Sequence, residues 1–256
     1  MNPGDLRALA EEVAREAGAQ LRDAFAGPAL RVASKSSPTD PVTEADRAAE
    51  RLIRDRLAAA RPDDAVLGEE GGDTAGSSGV RWVVDPLDGT VNFLFGIPHW
   101  AVSIACEDAD GPLAGAVYDP MRDELWAAER DGRALLNGMP VQASMRHDLA
   151  TALVATGFGY HAEARRAQAE IVTRVLPAVR DIRRQGSAAL DLAWTAAGRY
   201  DAFYEYGLNA WDLAAGALIC SRAGLLRREL PAVGASPAGV LVAPPALVFE
   251  LKALLA

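Results

Sequence analysis

An apolar run, Trp82-Val83-Val84, leads directly into Asp85-Pro86-Leu87-Asp88-Gly89-Thr90-Val91-Asn92-Phe93. The run predicts a buried strand. Two carboxylates three residues apart leave its end, and Gly89 and Thr90 open a short helix. Asp85 and Asp88 would gather hard cations, with the Leu87 carbonyl as a third oxygen. The amides after Asp88 suit a phosphate oxygen. Metal ions beside an anion site imply a metal-dependent phosphatase.

The rest of the chain narrows the chemistry. It has 26 basic and 35 acidic residues, a formal charge of -9, which argues against nonspecific nucleic-acid binding. An acidic site would also repel a phosphate ester unless bound cations reversed the local sign. The three histidines, His99, His147 and His161, lack zinc-motif spacing, so oxygen ligation by carboxylates points to magnesium or manganese. Cys106 and Cys220 lie far apart in apolar stretches and read as free, buried thiols. Residues 1–20 read as a polar helix rather than a signal peptide, and no apolar run reaches the length of a membrane span. The expectation is a cytoplasmic protein with no membrane association.

Punctuation along the chain gives its organisation. Asn2-Pro3 reads as a helix start, with Leu6, Leu9, Val13, Ala17, Leu21 and Phe25 on one face. Thr43-Glu44-Ala45-Asp46 resembles a capping box, followed by Ala49, Leu52, Ile53 and Leu57 as a buried face. Residues 65–68 predict a strand ending at Glu69 and Glu70, and the Gly/Ser-rich residues 71–79 a mobile loop. Residues 102–106, 113–118 and 124–128 predict an antiparallel meander. Beyond residue 147 strands alternate with helices: strands at 153–155, 182, 202–206 and 239–243, helices at 162–179, 187–197, 211–223 and 246–255. The expected organisation is an α+β half over residues 1–147 and an α/β half over 148–256, sharing one compact body.

Taken singly, Asp46, Glu69 and Asp212 also read as solvated acids or helix-start charges. Taken in order, the motifs do not. Gly68-Glu69-Glu70, the segment from Trp82 to Phe93, and Trp211-Asp212-Leu213-Ala214-Ala215-Gly216 are similar to the signatures of inositol monophosphatases. The early segment from Lys35 to Asp46 resembles that family as well, and the likeness covers roughly residues 5–226. It implies a layered αβαβα sandwich and Mg-dependent, lithium-sensitive hydrolysis of a small phosphate monoester by an attacking water.

The resemblance also implies roles. Glu69, Asp85, the Leu87 carbonyl, Asp88 and Asp212 would hold two or three magnesium ions, with Mn2+ an alternative. Asp46 and Thr90 would orient the water, with Glu69 counted among the catalytic groups through its metal. Asp88, Gly89, Thr90, Ser187, Ala188, Glu205 and Lys35 would line the substrate, Glu205 taking polyol hydroxyls. Trp211 reads as core packing and His99 as structural. The implied substrate is myo-inositol 1-phosphate. Relatives implied as alternatives act on histidinol phosphate, fructose 1,6-bisphosphate, NADP or adenosine 3',5'-bisphosphate. A homodimer is expected, and a purely regulatory or binding member of the fold is a further alternative. The chain departs from the family pattern at Val91, where Thr or Lys is usual, and after Gly224, where Leu225-Leu226-Arg227-Arg228-Glu229-Leu230-Pro231 replaces a glycine-rich stretch.

Overall fold

A computed structural model describes residues 2–27, 32–34 and 41–255. Lys35 and the loop around it therefore lie outside the described residues. The chain opens with helix α1 (Pro3–Phe25), a short antiparallel pair β1 (Val32–Ser34) and β2 (Pro41–Thr43), and helix α2 (Glu44–Ala60). Strands β3 (Ala65–Gly68), β4 (Gly72–Thr74) and β5 (Arg81–Asp88) precede a short helix α3 (Thr90–Leu94). The predicted meander follows as β6 (Ala101–Asp108), β7 (Gly111–Asp119) and β8 (Glu124–Glu129), extended by β9 (Leu135–Leu136) and β10 (Met139–Pro140). The remainder is β11 (Leu153–Thr156), α4 (Ala162–Val175), β12 (Asp181–Arg183), α5 (Ala188–Ala196), β13 (Ala202–Tyr206), α6 (Ala210–Arg222), β14 (Leu226–Leu230), β15 (Gly239–Ala243) and α7 (Val248–Leu255).

These elements stack as five layers. An eight-stranded sheet, β10-β9-β8-β7-β6-β5-β3-β4, carries α1 and α2 on one face and α6 and α5 on the other. Helix α5 then meets a five-stranded sheet, β12-β11-β13-β15-β14, whose far face carries α4 and α7. The layering follows from where apolar surface lies. Helix α1 buries Leu6, Ala10, Val13, Ala14, Ala17 and Leu21 on one stripe, as an outer helix must. Helix α5 buries eight of its residues, because it lies between two sheets.

Local chemistry sets the ends of these elements. The Asn2 side chain accepts the Gly4 N–H at 3.1 Å, capping α1. Thr43 and Asp46 form the predicted capping box of α2. Two expectations change. The glycine-rich residues 71–79 include an edge strand, Gly72–Thr74, paired antiparallel with β3. The segment after Gly224, which departs from the family's glycine-rich pattern, forms β14 on the edge of the second sheet.

Asp64, just before β3, anchors one end of the large sheet. Its Oδ2 accepts Arg61 Nε at 2.8 Å and Trp82 Nε1 at 2.9 Å, and its Oδ1 accepts Ser78 Oγ at 2.7 Å. Burial pushes this carboxyl up, but the bonds from Arg61, Ser78 and Trp82 outweigh it and hold it below the usual range. Asp64→Ala leaves the indole N–H and guanidinium without their acceptor, so a loss on the order of 3 kcal/mol is expected. A denaturant midpoint unchanged from wild type would contradict this anchor.

Candidate metal centre and active site

The site begins as an irregularity in β5. Asp85 pairs with Ser103 and Asp88 with Ala101, so three steps on β5 oppose two on β6. In a regular strand residues three apart point to opposite faces; the extra residue of a bulge brings them to one side. Pro86 sits inside this break, where a missing N–H costs no ladder bond. Asp85 Oδ1 accepts the Leu87 N–H at 3.0 Å, which fixes the turn. Gly89 then takes φ +97°, a left-handed conformation suited to glycine, and starts α3.

From the opposite side, α6 brings Asp212 on its first turn, its Oδ2 accepting the Asn209 N–H at 2.6 Å. Ligand oxygens of Asp85, Asp88 and Asp212 lie within 4.8 Å of one another. Asp85 and Asp88 are buried, and Glu69 and the Leu87 backbone line the same cavity. Three crowded carboxylates out of water are unfavourable unless protonated or neutralised. Burial, then the charges of Glu69, Asp88 and Asp212, push Asp85 well above the usual carboxylate range. Burial first, then the charge of Asp88, do the same to Asp212. Asp88 is pushed up to about 6 by burial, and bonds from Ser187, Ala189 and Ala188 hold it that low. The donor set is hard oxygen throughout, and these residues fit a divalent cation of the magnesium type.

Beside the carboxylates, the Thr90 hydroxyl lies 2.9 Å from Asp46 Oδ1 and 3.1 Å from the Leu87 carbonyl. One hydroxyl proton serves one acceptor at a time, so Thr90 keeps lone pairs to accept another proton. Asp46 is 1% exposed, and its Oδ2 accepts both the N–H and the hydroxyl of Thr43. The capping box thus also orients Asp46 for Thr90.

The second half of the chain closes the site. Asp88 Oδ2 accepts Ser187 Oγ at 2.5 Å and the Ala189 N–H at 2.7 Å, at the start of α5. Ser187 is turned onto Asp88, whereas Gly89, Thr90, Gly186 and Ala188 line the cavity. Glu205 on β13 lines the same cavity, its carboxyl pushed up to about 8 by burial. A Cβ at Gly157 would meet that carboxylate at 2.1 Å, so glycine is what makes room for Glu205. The cavity encloses about 360 Å³. Trp211, expected in the core, lines this cavity while also packing against the core. His99 is buried, edge-on to Trp194 with ring centroids 5.4 Å apart.

Several contributors were not found from the sequence. Glu50 accepts the Glu70 N–H at 2.7 Å and the Gly71 N–H at 2.8 Å, fixing the turn that presents Glu69. A Cβ at Gly68 or Gly71 would collide with Glu50 or Arg54, which explains the glycines flanking the two glutamates. Gln168, also lining the cavity, bonds the Gly159 N–H at 3.0 Å and Ser236 Oγ at 3.1 Å. Arg184 lines the cavity as well. The i,i+4 pair Glu50–Arg54 was a signal for Glu50, and the likeness of residues 183–189 to the family was one for the segment of Arg184, without singling that residue out.

Five alternating layers of helix and sheet, with a carboxylate cavity lined from both parts of the chain, define the layered αβαβα class. Residues 3–243 match the profile of the Inositol monophosphatase family. The chain is 45% identical over 278 residues to an inositol-1-monophosphatase of Mycobacterium bovis, covering 99% of this chain and 94% of that protein. It is 42% identical over 218 residues to the Nus factor SuhB of Escherichia coli, covering 84% and 82%. Among solved structures, the extragenic suppressor protein suhB of Bartonella henselae superposes with a TM-score of 0.91 at 36% identity, covering 98% of each chain. The chain belongs to the inositol monophosphatase family.

Proposed function

We propose that the protein is a magnesium-dependent phosphomonoesterase acting on a small polyol phosphate, with myo-inositol 1-phosphate as the expected substrate. The observation that carries this reading is the convergence of Asp85, Asp88 and Asp212 beside the Thr90–Asp46 pair. Glu69, Asp85, the Leu87 carbonyl, Asp88 and Asp212 would hold the cations. Cations bound there neutralise phosphate oxygens and acidify water, with manganese an alternative to magnesium. Thr90 Oγ1 would accept a proton from the attacking water, and Asp46 Oδ1 would hold the Thr90 proton in turn. Such a route needs no nucleophilic side chain, since phosphoryl transfer depends chiefly on position and charge. The homodimer and the cytoplasmic setting expected from the sequence belong to this proposal too.

Glu205 lines the same cavity as the carboxylates and Thr90 and would take ester hydroxyls. Glu205→Gln is expected to raise KM for the inositol ester by about tenfold, with a smaller effect on esters lacking such hydroxyls. Collapse of turnover on every ester would instead place Glu205 in metal binding.

Phosphate release from inositol 1-phosphate and histidinol phosphate, with magnesium and with a chelator, tests the whole reading. Magnesium-dependent release from the inositol ester supports it. Release from histidinol phosphate alone keeps the chemistry and moves the substrate. The similarity to a protein named Nus factor SuhB supports a second reading, in which the fold serves as a binding partner. No turnover, with stoichiometric capture of a macromolecule, would favour that one.

A further inference from the structure

Five acidic side chains, Glu69, Asp85, Asp88, Glu205 and Asp212, line the cavity, yet one guanidinium lines it among the described residues. Arg184 has no hydrogen bond or ion pair in the described structure, and its charge is felt at both Glu205 and the buried Asp191. Its side chain is exposed, while the backbone beside it is held in place. Asn92 on α3 donates to the Gln185 carbonyl at 2.7 Å and to the His99 carbonyl at 2.7 Å, tying the segment before α5 to the turn that carries Thr90. Gly186 follows with φ +91°, and a Cβ there would lie 2.5 Å from Arg184 Nη1. The guanidinium lies over Gly186, whose positive φ favours glycine, with its carbon 5.9 Å from the centroid of the Phe158 ring.

We infer that Arg184 is a specificity-determining residue that works with Glu205 to grip a vicinal diol of the leaving group. Glu205 accepts a hydrogen bond from one hydroxyl, and Arg184 donates to the oxygen of its neighbour. A neutral diol satisfies both groups together. A second anion at Arg184 would instead need more than one cation in a setting that already disfavours charge on Glu205 and Asp191, so the pair favours a hydroxylated monoester over a bisphosphate. This rests on the polyol reading proposed above and adds the donor half of the subsite.

The test is steady-state kinetics of wild type, Arg184→Gln and Arg184→Lys on myo-inositol 1-phosphate, p-nitrophenyl phosphate and fructose 1,6-bisphosphate. The ratio of kcat/KM for the inositol ester over the aryl ester should fall about tenfold in Arg184→Gln, mainly through KM. Arg184→Lys should recover part of it, keeping the charge and losing the planar fork. A ratio that stays at the wild-type value overturns the inference, as does an equal loss on all three esters, which would mean general attraction or a structural role. A loss confined to the bisphosphate overturns it in favour of a second-anion site. Wild type that shows no preference for the inositol ester, or turns over no ester, overturns the polyol reading and this inference with it. A wild-type preference that survives in Arg184→Gln overturns this inference alone.

Discussion

Asp85→Asn is expected to lower kcat/KM by about a thousandfold while leaving the metal-free fold at least as stable as wild type. The two halves of that result have one cause. Asp85 is 2% exposed and lies among Glu69, Asp88 and Asp212, so its charge is opposed by each of these carboxylates when no cation is bound. Asparagine keeps an oxygen for the Leu87 N–H, now accepted at 3.0 Å, so the bulge of β5 survives. It removes one negative charge from the place where that charge would hold a cation. Relief of repulsion then offsets any loss of packing. The checks are kcat/KM at saturating magnesium and a thermal melt in chelator. Activity within tenfold of wild type would remove Asp85 from the metal set, and a large fall in the chelator melt would make it a structural residue.

The carboxylates were legible because their signals are local. Asp85 and Asp88 sit at fixed spacing after an apolar run, with Pro86 and Gly89 marking a break in the strand. Asp212 sits on the first turn of a helix, where an acid is already favoured. Glu50, Gln168 and Arg184 carry no such mark. Glu50 meets the amides of Glu70 and Gly71 twenty and twenty-one residues away, and Gln168 meets Ser236 across sixty-eight. Those contacts exist only after the layers assemble. Ser187 shows the same limit from the other side: its position at a helix start was legible, whereas its bond to Asp88 spans ninety-nine residues.

The fold divides in the same way. Helices α1 and α2 announce themselves through one apolar stripe and a capping residue, and the meander through short turns. Strands β1, β2 and β4 are three residues each, too short for alternation to register. Strand β14 carries Arg227, Arg228 and Glu229 between two leucines. Its ladder with β15 supplies the order that its composition conceals, and charges suit an exposed edge.

Without metal, the protein is expected to lose stability as pH rises from 6.5 to 8, and saturating magnesium should abolish or reverse that slope. Glu205 is pushed up to about 8 by burial, and Asp85 and Asp212 stand well above their ordinary values. A folded pKa raised above the unfolded one gives stability that is fully present below the unfolded pKa, near 4 for these carboxyls. It is lost as pH climbs through the folded value. Within this window each such group contributes at most about 2 kcal/mol. Three other groups set the lower and upper limits. His99, lowered to about 4 by burial and then by Arg122, favours the fold above the unfolded histidine pKa and adds no slope beyond about 6.5. The thiols of Cys106 and Cys220, pushed up by burial, act only above about 8.5. Cations would bind the charged carboxylates, so the stabilisation they supply should grow over the same window. At a hundredfold excess over Kd it is about 2.7 kcal/mol, or roughly 5–10 °C in Tm for a chain of this size. Melts in chelator and in magnesium across this range measure both slopes. In chelator, Glu205→Gln should flatten the fall, because it removes a group that charges near pH 8. A chelator Tm that rises with pH, or one that magnesium does not move, would show that these carboxylates are neutralised from within the protein and do not await a cation.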